Sequence, residues 1–220
     1  MVSYPCKGKI PLLKEWNKLK EKKPHAPGTQ FGLLCGKTND LLVVDCDLLK
    51  DSDPNLYVDG LYAWNEWIKQ HGDVCAPRVK TGSGGLHVYF CYDSQVPPSN
   101  QQLEGNLVSK EHAGKKIKID VLTNERNVIA PGSPGYEYLT EEDKLRPLVP
   151  MPEWLKSKLQ SVNNTKKREL KEPTKENNNA KKAKTTQETT GVEDSPCVVL
   201  KLPSNEQKQK KVLTVSKHRL

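Results

Sequence analysis

Three carboxylates and one histidine hold most of the chemistry this chain can offer. Asp45 and Asp47 stand one residue apart at the end of the apolar run LLVVDCD (41–47). Asp120 stands near the end of KKIKIDV (115–121), and His87 follows the glycine-rich TGSGG (81–85). Residues at i and i+2 of a strand point the same way, roughly 6.6 Å apart, so Asp45 and Asp47 can lean toward a shared point. Carboxylates gathered without a counter-charge repel and raise one another's pKa values. A hard divalent cation such as Mg²⁺ or Mn²⁺ resolves the conflict.

A D-x-D alone is also what a solvated strand end looks like, and a glycine hairpin followed by a histidine is common. Alternation along the strands joins these pieces. Val43, Asp45 and Asp47 share one face and Leu42, Val44 and Cys46 the other; His87 and Tyr89 oppose Leu86, Val88 and Phe90. Lys116, Lys118 and Asp120 oppose Ile117, Ile119 and Val121. If these strands lie in one sheet, helices cover its apolar face, and Asp45, Asp47, His87 and Asp120 meet on the other. Two cations about 3.5–4 Å apart in such a site can serve phosphoryl or nucleotidyl transfer. The N–H groups of a Thr81–Gly85 turn can line an anion site. It is not a Walker A loop, because no Gly-Lys-Ser/Thr is present and a strand follows instead of a helix.

The positioning elements follow from pattern. LLKEWNKLKEK (12–22) has apolar residues at helical spacing, and FGLLCG (31–36) and LLVVDCD (41–47) read as strands. The run 55–72 predicts a helix with Tyr57, Leu61, Trp64 and Ile68 on its buried stripe, ending at Gly72. Strands are expected at 77–81, 86–90, 115–121 and 126–130, with a polar loop or lid over 93–114. A turn and short strand (131–138) and a helix (151–160) complete a folded body of residues 1–161. Residues 162–220 have the composition of a disordered tail, with an apolar island at 198–202.

The net charge of +8 belongs mostly to that tail. Residues 162–220 hold 14 Lys and Arg against 7 Asp and Glu, whereas 1–161 hold 21 against 20. The basic balance therefore does not by itself make the body a nucleic-acid binder. Its Lys/Arg pairs could serve nuclear import, although a solvated tail is the simpler reading. Hydrophobic residues make up 35% and mean hydropathy is −0.74; no stretch reaches the ~18 apolar residues of a bilayer span and no signal-peptide segment follows Met1. An intracellular protein with no membrane association is expected. The six cysteines contain no C-x-x-C pair, so neither a disulfide framework nor a zinc site is expected. His87 and Cys91 could share a strand face, but they read as unpaired residues.

In this order the motifs resemble the bifunctional DNA primase/polymerase domain of the archaeo-eukaryotic primase superfamily. LLVVDCD matches its D-x-D strand, TGSGGLHVYF its Gly-Gly-x-His hairpin, and KIDV with NVIAPGSPGYEY its final strand and turn; Lys9 through Trp16 resemble its entry segment. The resemblance implies an α+β primase/polymerase fold, with a mixed RRM-like sheet backed by helices. It also implies template-directed nucleotidyl transfer in DNA replication, on a DNA template and primer with nucleoside triphosphates. Asp45, Asp47 and Asp120 would hold two Mg²⁺ or Mn²⁺. His87, with Ser83, Gly84, Gly85 and Lys80, would bind the nucleotide, and Lys118 and Arg126 would contact nucleic acid. A separate replicative helicase is a candidate partner, since no ATPase domain follows in the sequence. Two other readings use the same residues: a non-catalytic nucleic-acid-binding remnant of a replication protein, and a metal-dependent nuclease.

Overall fold

The computed structural model describes residues 1–100 and 103–160, with backbone alone at 99 and 100. The expected tail, with its apolar island, lies outside the described residues. No helix among them is long and apolar enough to cross a membrane.

The body is α+β and is built on two sheets. The larger has six strands: β4 (Leu42–Cys46), β6 (Arg78–Lys80), β7 (Leu86–Phe90), β8 (Ser99–Asn100), β10 (Ile119–Leu122) and β12 (Glu137–Tyr138). Their order is β12-β6-β7-β4-β10-β8, and every pairing is antiparallel. The smaller sheet runs β11-β3-β1-β2, from Asn127–Ile129, Phe31–Leu34, Ser3–Lys7 and Ile10–Pro11. A parallel pairing joins β5 (Tyr57–Val58) to β9 (Lys116–Ile117).

Alternation along the central strands decides what packs where. Leu42, Val44 and Cys46 with Leu86, Val88 and Phe90 form one buried face, joined by Ile117, Ile119 and Val121. Helix α1 (Gly60–His71) covers it with Ala63, Trp64 and Trp67, and a helix over 153–160 (α3) adds Leu155 and Leu159. The opposite face is not left open. Val43, Val79 and Tyr89 pack against Tyr4, Leu33, Leu34 and Val128 of the smaller sheet, giving a second core. Two strands of that sheet, β3 and β11, lie where the sequence predicts them, but β1 carries no strand pattern, because Pro5 interrupts a run of only five residues, so the pattern does not predict their joining into a covering sheet.

Four elements differ from expectation. Residues 12–22 form no α-helix; only Trp16–Lys18 make a 3₁₀ turn, entered through Glu15 with φ +53°. Leu13, Trp16 and Leu19 still pack inward, since a segment lying over a sheet can use the same spacing. The helix expected from 55 begins only at Gly60, capped by Asp59 Oδ1 accepting from the Tyr62 N–H. Tyr57 belongs to β5, and Trp67, outside the expected stripe, is fully buried. The segment 93–114 is anchored to the first core by Val96, Leu103 and Val108, so it is not a free lid. A short helix, α2 (Glu141–Leu145), was not anticipated.

Candidate active site

Register across the larger sheet brings the key side chains into one row. Asp45 of β4 lies directly opposite His87 of β7 on one side and Asp120 of β10 on the other. Directly opposed residues of an antiparallel pair share a face. Asp45, His87 and Asp120 therefore stand together, as face alternation predicts.

Asp47 is held just beyond β4. Its N–H donates to the Lys118 carbonyl (2.9 Å), and its own carbonyl accepts from the Gly60 N–H (2.8 Å). A Cβ at Gly60 would collide with the Lys118 carbonyl, so the glycine that weakens the helix pattern is what lets α1 start against this loop. Asp59 Oδ2 also accepts from the Leu49 N–H (2.6 Å), which ties the loop to the cap of α1.

The glycine hairpin braces the same loop from the other side. Gly84 takes φ +90°, and a Cβ on Gly85 would come within 2.5 Å of the Cys46 carbonyl oxygen. The turn is closed by Gly84 N–H to the Thr81 carbonyl (2.9 Å) and Thr81 N–H to the Gly85 carbonyl (3.0 Å). The Gly84 N–H is thus used inside the turn and is not offered to an anion. Ser83 Oγ sits 3.0 Å from Thr81 Oγ1. The hairpin works here as a close-packed support for Asp45 and Asp47.

A cleft of about 330 Å³ opens over this row, with Asp45 and His87 in its wall. The smaller sheet and its flanks supply Lys9, Trp16 and Arg126, and Tyr136 closes another side. Lys9 comes from the two-residue turn between β1 and β2, and its carbonyl accepts from Asn127 Nδ2 (3.0 Å). Arg126 precedes β11 and lines this cleft with Asp45. Lys118 lies outside that lining, its ammonium 5.2 Å from the Tyr57 ring centroid. Lys80 stands on the other face, in a groove with Trp64 and Leu86 under α1. Sequence reading gave no role to Tyr136, whose ring centroid lies 5.8 Å from that of His87. The Gly135-Tyr136 pair of PGSPGYEY was the available signal.

The electrostatics are those of an under-compensated acidic site. Asp45 is 8% exposed and His87 4%. Asp45 Oδ1 lies 3.4 Å from His87 Nε2 without hydrogen-bonding geometry, and neither Asp45 Oδ1 nor His87 Nδ1 has a hydrogen-bond partner. Burial, then the neighbouring Asp45 charge, push the Asp47 carboxyl above the usual carboxylate range, against the pull of Lys9, Lys118 and His87. Tyr136 is raised by burial, with Asp45 and Asp47 adding to it and Lys9 opposing. The donor chemistry suits an oxygen-preferring divalent cation. The carboxylates do not converge on a point, however: among the described residues no three His, Cys, Asp or Glu side chains are grouped closely enough to hold a metal.

The chain matches the family model of the bifunctional DNA primase/polymerase N-terminal domain over residues 2–154. It belongs to that family. The prim-pol match spans the whole described body apart from the end of α3, including both sheets and the cleft between them. A comparison with curated proteins finds no match. Membership carries the general class of activity, DNA primase/polymerase-type nucleotidyl transfer.

Proposed function

We propose that this prim-pol chain extends nucleic-acid primers on a DNA template by metal-dependent nucleotidyl transfer, as part of replication. The observation that carries the reading is the row His87–Asp45–Asp120 on one sheet face, with Asp45 Oδ1 buried and unpartnered beside a cleft. Asp45, Asp47 and Asp120 would hold two divalent cations, Mg²⁺ or Mn²⁺. When bound, those ions supply the positive charge that a primer hydroxyl needs to ionise and a pyrophosphate needs to leave.

The chain's own groups have separate tasks. Asp45 brings negative charge from β4 and Asp47 from the loop that follows it, which the Lys118 and Gly60 backbone contacts fix. His87, 4% exposed in the cleft wall, would orient the triphosphate through a ring nitrogen that has no protein partner. Lys9 and Arg126 border the cleft as exposed cations and would balance the remaining phosphate charge. Tyr136 lines the cleft beside His87. Lys80, across the sheet, is not assigned to the triphosphate.

The test is primer extension on a primed template with dNTPs and Mn²⁺ or Mg²⁺. The wild-type chain should extend the primer, and Asp45→Ala with Asp47→Ala should abolish extension while the fold is retained by circular dichroism. DNA binding without incorporation under either metal would assign the chain to the non-catalytic class. Strand nicking without nucleotides would point to a nuclease.

A further inference from the structure

The near-neutral body conceals a sharp division of charge. Residues 1–37 hold eight lysines against two glutamates, a net +6, whereas 38–161 hold 13 Lys and Arg against 18 Asp and Glu, a net −5. Five of the eight lysines fall within 14–23, the segment that resembles an amphipathic helix and does not form one. Instead it lies as a strap over the smaller sheet. Its backbone is pinned at both ends, by Leu12 N–H to the Pro5 carbonyl (3.0 Å) and Lys23 N–H to the Ser3 carbonyl (2.7 Å).

Between those pins Leu13, Trp16 and Leu19 face the second core, with the Trp16 ring 5.4 Å from that of Tyr4. That leaves Lys14, Lys18, Lys20 and Lys22 exposed. Only Lys18 has a carboxylate partner in an ion pair, the equally exposed Glu15 (2.6 Å). A run of like charges on a tail spreads out and is ordinarily just solvated. Here the chain holds four exposed lysines, with Glu15 and Glu21 among them, on a packed element, where one anionic partner can meet them together. Trp16, between Lys14 and Lys18, also lines the cleft that holds Asp45 and His87, so the first part of the strap borders that cleft.

We propose that the strap 14–23 is the docking track for the phosphate backbone of single-stranded template, leading it to the cleft. This rests on the nucleotidyl-transfer reading for the template's role, but the binding itself needs neither metal nor nucleotide. Phosphate contacts of this kind give affinity without sequence preference and a steep salt dependence. The opposite charge of the catalytic half would keep the strand on the strap except where cations bridge it to the carboxylates.

The full chain is titrated against fluorescein-labelled oligo-dT in EDTA at several KCl concentrations, with anisotropy as the readout. K14A/K18A/K20A/K22A should flatten the slope of log K against log salt by about 2–3, at roughly 0.7 per lost single-strand contact. K14Q/K18Q/K20Q/K22Q should do the same while keeping side-chain length, which separates charge from packing. K166A/K167A/K181A/K182A, in the basic tail, is the comparator and should change the slope less. An unchanged slope in the strap variants, or a larger loss in the tail comparator, overturns the proposal. Loss of binding to phosphatidylserine vesicles with oligo-dT binding intact also overturns it and assigns the strap to anionic lipid. D45A/D47A should bind oligo-dT at least as tightly as wild type, so a failure of catalysis and a failure of the strap are read separately.

Discussion

Asp45 and Asp143 are both buried carboxylates, and the chain treats them in opposite ways. Asp143, 0% exposed in α2, receives Arg78 Nε (3.0 Å), Arg146 Nη1 (3.0 Å) and Thr140 Oγ1 (2.8 Å). Burial alone would raise its pKa, but hydrogen bonds from Arg78 and Thr140 and the charges of Arg78 and Arg146 outweigh burial and hold it below the usual range. Asp45 has no arginine or lysine in an ion pair, one buried oxygen without a partner, and Asp47 and Asp120 as neighbours. A buried charge left unpaired costs free energy, so under the proposed reading Asp45, unlike Asp143, would take its counter-charge from a bound cation. The first arrangement locks α2 onto β6; the second stores repulsion at a cleft.

Each prediction tests that contrast. The largest effect is on activity: D45A/D47A should lower primer extension by at least about 10³-fold, as expected when transition-state charge loses its support. Thermal stability should not fall with it, because the substitution removes repulsion. D143A reverses the pattern. Leaving Arg78 and Arg146 without their shared partner should cost about 3–5 kcal/mol, read as a large drop in Tm, while extension per folded molecule at a permissive temperature stays near wild type. Comparable loss of activity and stability in both variants would erase the distinction.

The pH dependence should differ in sign. The native pKa of Asp143 is lowered, so its contribution is fully present above the unfolded carboxylate value of about 3.9 and disappears as pH falls through the native one. The Tm gap between wild type and D143N should therefore shrink on acidification below about pH 4. Asp47 is raised, so its ionisation destabilises the fold as pH rises from its unfolded value through its native one. D47N should then be slightly more stable than wild type at neutral pH, and the difference should vanish in acid. This is the smallest of the expected effects, and differential scanning fluorimetry across pH measures both.

How legible these two sites were in the sequence follows from distance along the chain. Period-two alternation placed Asp45, His87 and Asp120 on one face because each sits in a strand with a clean apolar side, and the antiparallel register completes the row. The Asp143 cluster joins Arg78 to a residue 65 positions away inside the acidic run EED, where nothing distinguishes a buried aspartate from a solvated one. Half of the smaller sheet was legible, since β3 and β11 fall within the expected strands 31–36 and 126–130, but β1 and β2 are short and contain prolines, and the packing of this sheet over the larger one depends on tertiary structure alone. The Gly84–Gly85 turn was recognisable, but its work was not: it gives room to the Cys46 carbonyl and does not present Gly84 N–H to a ligand. The 12–22 segment shows the limit of the helical pattern, because Leu13, Trp16 and Leu19 bury equally well from an irregular strap.

Manganese binding separates Asp45 from Asp143 without any catalytic step. Free Mn²⁺ is followed by electron paramagnetic resonance as the full chain is titrated, for wild type, D45A/D47A and D143N under identical conditions. Wild type and D143N should remove Mn²⁺ from solution alike, and D45A/D47A should not. Equal uptake by D45A/D47A, or none by wild type with nucleotide present, would contradict a cation site at Asp45 and Asp47.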